Sequence, residues 1–230
     1  VSIRQLLNMT SGVRWNEDYG DPDSDVARFA LEPSVNGSDP VVTYMARLPR
    51  EAAPGSKWVY KTGETNLVGS LVRAATGKTL SDYLSEKLWQ PLGMEGDAYW
   101  MLDSSGAEIA GCCLSATLRD YGRFALFFMH GARLANGQAV VPDGWVEQAT
   151  TTTREATEGL KGRGGYGLQW WTTRGKAYRA SGIFGQGLWI DPELNLVVVT
   201  QSAWTGATDA PSAMVRQALI DAISAQYRKD

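Results

Sequence analysis

Residues 176–200, KAYRASGIFGQGLWIDPELNLVVVT, decide the fold. Apolar and polar residues alternate from the start, break at Ser181-Gly182, and resume across Gln186-Gly187-Leu188-Trp189-Ile190. The chain then turns at Asp191-Pro192 into the apolar run Leu196 to Val199. Period-two alternation interrupted by short glycine or proline breaks is the pattern of consecutive antiparallel strands. Glycines 182, 185 and 187 remove side chains where the first of these strands ends, so backbone N–H groups there can approach a ligand closely. Such an edge can form half of an oxyanion hole. A glycine-rich hairpin without chemistry is the plain alternative, and the rest of the chain has to decide between the two.

Working outward, Tyr166 to Trp171 begins the sheet, and Ser212 to Tyr227 reads as a terminal helix with Val215, Ala218, Leu219, Ala222 and Ile223 inward. Residues 154–165 read as a mobile loop, and Asp143 to Thr150 as a short helix. Thr117 with Asp120 is a capping pair that opens a helix carrying Leu118, Tyr121, Phe124, Ala125 and Phe128 at helical spacing. Thr79 with Asp82 repeats the signal ahead of Leu80, Tyr83, Leu84 and Leu88. Leu67, Val68, Leu71, Val72 and Ala75 share another helical face, closed by Gly77. Earlier still, a helix is expected over Val41 to Leu48, a helical turn within Asp25 to Leu31, and a short helix ending at Ser11-Gly12. The fold class is therefore α/β in the α+β sense: a mostly helical region over residues 1–150 with a substrate loop and a tyrosine loop, then an antiparallel sheet and C-terminal helix over 151–230. No internal repeat is visible.

The chain has 230 residues, 43% of them hydrophobic and 20% charged, with a net charge of −3. That balance suits an ordinary globular protein and offers no basic field for nucleic acid. No apolar run approaches the ~20 residues that cross a bilayer. The opening Val1-Ser2-Ile3-Arg4-Gln5-Leu6-Leu7 is already amphipathic, so a preceding segment is expected, and the compartment stays open between cytoplasm and periplasm. The lone His130 lies beside Gly131 at a helix end and argues against a His-based metal site or a Ser-His-Asp triad. No cofactor is implied. The adjacent Cys112 and Cys113 read as small packing residues, because neighbouring Cα atoms sit closer than ordinary disulfide geometry prefers.

Chemistry is suggested by Trp58-Val59-Tyr60-Lys61-Thr62-Gly63, directly ahead of the helix that carries Leu67 and Val68. A tyrosine on such a loop can relay a proton if a neighbouring cation lowers its pKa. A half-buried tyrosine with one satisfied hydrogen bond is the structural alternative.

The ordered set LLNMTSG, NEDY, the W-x-Y loop before a helix, LSATLRDYGRF and ASGIFGQGLWIDP resembles the serine hydrolases of the class C β-lactamase and DD-peptidase superfamily. Within it, the set is most similar to the 6-aminohexanoate-dimer (nylon-oligomer) hydrolases and their carboxylesterase neighbours, over essentially the whole chain. The resemblance implies a β-lactamase-like fold built on three elements: S-x-x-K on a helix, a Tyr or Ser loop, and a K-T-G-like strand. It makes Tyr60 the relay tyrosine, and places Ser181, Gly182 and Ile183 on the third element, with the Ile183 N–H as an oxyanion donor. It puts Tyr19 on a flexible substrate loop and Gly111 where the nylon-oligomer group varies a pocket residue. The literal Lys61-Thr62-Gly63 is a decoy, since it follows the tyrosine and precedes a helix.

Three departures accompany the resemblance. Position 180 is alanine, so the strand cation that holds a substrate carboxylate is missing, and Thr62 stands where an asparagine is expected. No serine is followed by lysine three positions on; Ser70, followed by Arg73, comes near but lies after Tyr60. The resemblance therefore expects S-x-x-K in an upstream part of the same protein. The substrate implied is a small amide or ester. A β-lactamase or DD-peptidase and a non-catalytic binding protein of the same fold are the rival readings.

Overall fold

The computed structural model describes residues 1–161 and 164–228. In chain order it runs α1 (Ile3–Leu7), α2 (Asp25–Phe29), α3 (Pro40–Arg47), α4 (Thr62–Thr76) and α5 (Leu80–Leu84), which passes into a π-helical turn, Ser85–Trp89. Then come β1 (Tyr99–Trp100), β2 (Leu114–Ser115), α6 (Leu118–Met129), α7 (Trp145–Thr150), α8 (Arg154–Gly159), β3 (Gly165–Tyr166), β4 (Trp171–Thr172), β5 (Tyr178–Ser181), β6 (Gly187–Asp191), β7 (Leu196–Thr200) and α9 (Ala210–Tyr227). Two compact units interleave along the chain. Unit 1 gathers Val1–Pro91, Ala98–Ser115 and the stretch from Thr153; unit 2 gathers Leu92–Asp97, Ala116–Thr152 and the stretch from Gly164. Residues 116–152, grouped by sequence with the helical region, thus pack with the sheet.

Unit 1 is built on Trp15, Val26, Phe29, Val41, Tyr44 and Met45, with Leu48 and Leu67 against them. The rings of Trp15, Phe29 and Tyr44 meet edge to face at 6.0–6.4 Å, the geometry that the aromatic quadrupole favours. This cluster anchors the start of the loop that carries Tyr19, because Trp15 lies only four positions before it. Helix α3 starts on Asp39, whose carboxylate accepts from the Val41 and Val42 N–H groups, with Pro40 in the first turn. Helix α4 ends at Gly77, held at φ 65°, where a side chain would be strained.

In unit 2 the strands lie in the order β3-β4-β5-β6-β7, antiparallel throughout. The register pairs Tyr178 with Ile190 and Ser181 with Gly187, as the alternation at 176–200 requires. Helix α6, capped by Thr117 on the Asp120 N–H, packs on β6 and β7. Trp170 fills the space between them and the sheet, 4.6 Å from the Phe128 ring and 5.2 Å from that of Tyr178. No helix among the described residues is long and apolar enough to cross a membrane.

Three sequence expectations are corrected. The loop expected over 154–165 contains α8, whose Thr153 hydroxyl caps the Ala156 N–H; residues 162 and 163 lie outside the described residues. Helix α9 buries Ile220 and Ser224, while Val215 and Leu219 are 71% and 51% exposed. Its apolar residues run almost all the way round, so the pattern names no single face. Cys112 and Cys113 form a vicinal disulfide. They occupy a tight turn in which Cys113 takes φ 73°, a conformation that a packing argument from sequence does not consider.

Candidate active site

The first cluster lies in unit 1 at the amino end of α4. Tyr60 precedes that end by two residues and is half-buried. Its phenol is pushed up to about 12, first by burial and then by the Glu17 carboxylate. That is opposite to the lowering a proton-accepting role requires. The Tyr19 hydroxyl donates to Glu17 Oε1 at 2.8 Å and lies 3.2 Å from Thr62 Oγ1. Its phenol is also raised, by burial foremost. Glu17 Oε2 accepts from the Thr62 N–H at 3.0 Å and from the Trp15 indole N–H, and the Thr62 hydroxyl donates to Oε1. Tyr19 and Thr62, the latter two residues beyond Tyr60, therefore share one carboxylate.

Lys61, the lysine of the literal K-T-G, is fully buried. Its Nζ sits 3.0 Å from Glu64 Oε1, donates to the Val59 carbonyl at 3.0 Å and reaches the Met9 carbonyl at 3.5 Å. Glu64 also accepts from the Ser11 hydroxyl at 2.5 Å. Burial raises the Glu64 carboxyl, with Lys61 and Ser11 opposing. This lysine ties α4 to the loop after α1 and presents nothing to a ligand. Ser70 and Arg73 are likewise occupied, both on Asp39 Oδ2, at 2.7 and 2.8 Å.

Gly111 donates its N–H to Asn66 Oδ1 at 3.0 Å, and a Cβ built on it would come within 2.2 Å of Asn66 Nδ2 and 2.9 Å of Thr62 Cγ2. Asn66 is buried and returns a hydrogen bond to the Thr62 carbonyl. Gly111 is thus fixed against α4 one turn past Thr62, and the vicinal disulfide follows it directly in the chain.

The second cluster lies in unit 2. Ser181 ends β5, Gly182 follows it, and both are exposed. The turn after them spends its flanking donors: Gly182 N–H on Gln186 O at 2.9 Å and Phe184 N–H on Ala207 O at 3.1 Å. Between them stands Ile183, the residue whose N–H the resemblance assigns to the oxyanion. Phe184 takes φ 58°, a left-handed conformation costly for a phenylalanine. Such strain persists only where surroundings over-determine it.

Ala180 leaves that position of the strand without a cation, yet the guanidinium of Arg216 reaches the strand's end from α9. Arg216 Nη2 donates to Ser181 Oγ at 3.2 Å and Nη1 to the Gln186 carbonyl at 3.1 Å, with the guanidinium 4.8 Å over the Trp204 ring. Burial lowers its pKa, and Arg179 adds to the shift.

The structure thus gathers Tyr60, Tyr19 and Gly111 around the start of α4, and Ser181, Gly182 and Ile183 at the end of β5. Sequence reasoning missed Glu17, Asn66 and Arg216. Glu17 stood inside the quoted N-E-D-Y, and Asn66 falls one helical turn after Thr62, so both carried a local signal. Arg216 stands 35 positions from Ser181 and carried none.

A family model described as Beta-lactamase matches residues 1–222. The 6-aminohexanoate-dimer hydrolase of Paenarthrobacter ureafaciens is 34% identical over 216 residues, which cover 88% of this chain and 55% of that protein. Among solved structures, a Bacillus anthracis protein provisionally assigned as a 6-aminohexanoate-dimer hydrolase superposes with a TM-score of 0.84 at 27% identity, covering all of this chain and 62% of that one. A β-lactamase from Mycobacterium bovis superposes at a TM-score of 0.68 and 19% identity over 98% of this chain and 74% of its own, a likeness of fold alone. The chain belongs to the beta-lactamase family and has the β-lactamase-like fold, and it spans little more than half the length of the curated relative with which it shares 34% identity.

Proposed function

We propose that this chain is the part of a serine hydrolase that carries the relay tyrosine and the oxyanion strand, acting on a small amide or ester of the 6-aminohexanoate-dimer type. The nucleophilic serine, on an upstream S-x-x-K, attacks the carbonyl carbon, and its proton leaves through the lysine and Tyr60. The new oxyanion is held by two backbone N–H groups, one of them that of Ile183. Tyr19 gives a proton to the leaving nitrogen as the C–N bond breaks, the proton held by the lysine and Tyr60 restores the Tyr19 phenol, and water then hydrolyses the acyl-enzyme, one of its protons returning to the serine. Burial and Glu17 raise the phenol of Tyr60, so the scheme requires the lysine of S-x-x-K as the cation that brings it down.

The observation that carries the reading is the position of Tyr60, half-buried at the amino end of α4 in a chain of this family, beside a threonine whose hydroxyl lies 3.2 Å from that of Tyr19. The test is a fluorophosphonate probe on the protein with its upstream segment. One labelled serine, three positions before a lysine, is expected. Failure of any serine to label favours the non-catalytic binding protein.

Arg216 favours a second reading. Its guanidinium at Ser181 supplies the positive charge that Ala180 withholds, and a carboxylate-bearing substrate such as a β-lactam or a D-alanyl peptide would meet it. Stable labelling by fluorescent penicillin is the outcome that would select this reading.

A further inference from the structure

Glu17 does more than an ordinary helix cap. A capping carboxylate usually accepts from one or two N–H groups of the first turn. Here four donors from three residues converge: the Trp15 indole, the N–H and hydroxyl of Thr62, and the Tyr19 hydroxyl. Two carboxylate oxygens offer about four lone-pair sites, so the acceptor capacity is filled. The donors also differ in kind. Trp15 belongs to the unit 1 core, Thr62 opens the helix after Tyr60, and Tyr19 is the exposed loop residue at 40% of its surface. Asp18, the neighbouring acid, is turned away to the Gly20 N–H at 2.8 Å.

We infer that Glu17 is a positioning residue of the site: its carboxylate fastens the substrate-loop Tyr19 to the core through Trp15 and to the amino end of α4 through Thr62, fixing where the Tyr19 hydroxyl stands relative to Tyr60. The inference rests on the hydrolase reading above and deepens it. The alternatives are a cap that only stabilises α4 and a site for a substrate ammonium, and the second is opposed by the filled acceptors.

The same charge acts on both phenols. Glu17 and Tyr60 face Tyr19, Glu17 faces Tyr60, and the carboxylate raises both. A raised phenol stays protonated to higher pH, and its one O–H, donated to Glu17 in this structure, turns from that carboxylate to a leaving nitrogen when it gives up the proton. Removing the charge therefore lowers the Tyr19 pKa and moves the alkaline limb of amide hydrolysis to lower pH.

The experiment is Glu17→Gln in the protein with its upstream segment, assayed on an amide and an ester of the same acyl group across pH. The expected result is a loss of up to about 10²-fold in kcat/KM for the amide, the scale of a misplaced reacting group, a smaller loss for the ester, and an alkaline limb shifted to lower pH. Equal losses on both substrates with an unmoved limb, accompanied by a lower Tm, reduce Glu17 to a helix cap and overturn the inference. In parallel, tyrosine labelled at 13Cζ reports Tyr19 without any turnover. If the wild-type protein hydrolyses nothing, the hydrolase reading fails, and the inference still stands or falls on whether Glu17→Gln moves the Tyr19 resonance and lowers its titration midpoint.

Discussion

Lys61-Thr62-Gly63 and Ala180-Ser181-Gly182 are two three-residue runs of similar spelling with opposite surroundings. The first has its lysine entirely buried, paired with Glu64 and bonded to backbone carbonyls of residues 9 and 59. The second lies at the end of a strand with its serine exposed and a guanidinium brought to it from another element. A charged ammonium taken from water must be repaid by partners in place, and Lys61 has them all within the fold. It has no capacity left for a ligand. Ser181 has a cation in contact and an open face. On the proposed reading, what makes a K-T-G element is where the strand ends and which charge reaches it, and the letters are secondary.

Substitutions can break that comparison. The largest effect expected is from Lys61→Met, which leaves the buried Glu64 without its cation; stability should fall by about 3–5 kcal/mol, measured by denaturant unfolding. A Lys61→Met protein of normal stability but without activity would instead make the literal motif functional. Gly111→Ala comes next. Its Cβ must displace Asn66 from the hydrogen bonds to Gly111 and Thr62, so a loss of about 1–3 kcal/mol is expected from overpacking. Unchanged stability would mean that Asn66 swings freely and that this corner of unit 1 is soft. Ser181→Ala should be the mildest for folding, within about 0.5 kcal/mol for an exposed position, and any effect should appear in KM. A clear drop in Tm would place Ser181 in the framework alongside Lys61.

The same contrast explains what could be read beforehand. Local rules were enough for the hairpins after Ser181, for the caps at Thr79 and Thr117, and for the stop at Gly77, because each depends on residues within a few positions of one another. The burial of Lys61 depends on Met9, Ser11 and Glu64 meeting across two segments, which no local pattern encodes. Arg216 reaches Ser181 only because α9 folds back on the sheet, and α9 itself was read on the wrong face, since Met214, Val215 and Leu219 are apolar yet exposed. Adjacent cysteines lie closer than average disulfide geometry prefers, yet Cys112 and Cys113 are bridged in a turn where Cys113 takes φ 73°, a constraint of that turn which the average does not contain. For the candidate site, Tyr60, Ser181 and Gly182 were visible as motifs, whereas the carboxylate of Glu17 that organises Tyr19 and Thr62 became visible only with the contacts in place.

The most direct test of the account is Tyr60→Phe in the protein with its upstream segment, followed as kcat on an amide substrate. The account predicts a fall of ~10²-fold or more, the scale of a positioned proton-transfer group, with Tm nearly unchanged. A Tyr60→Phe enzyme with wild-type kcat would remove Tyr60 from the mechanism, and with it the reading of the amino end of α4 as the site.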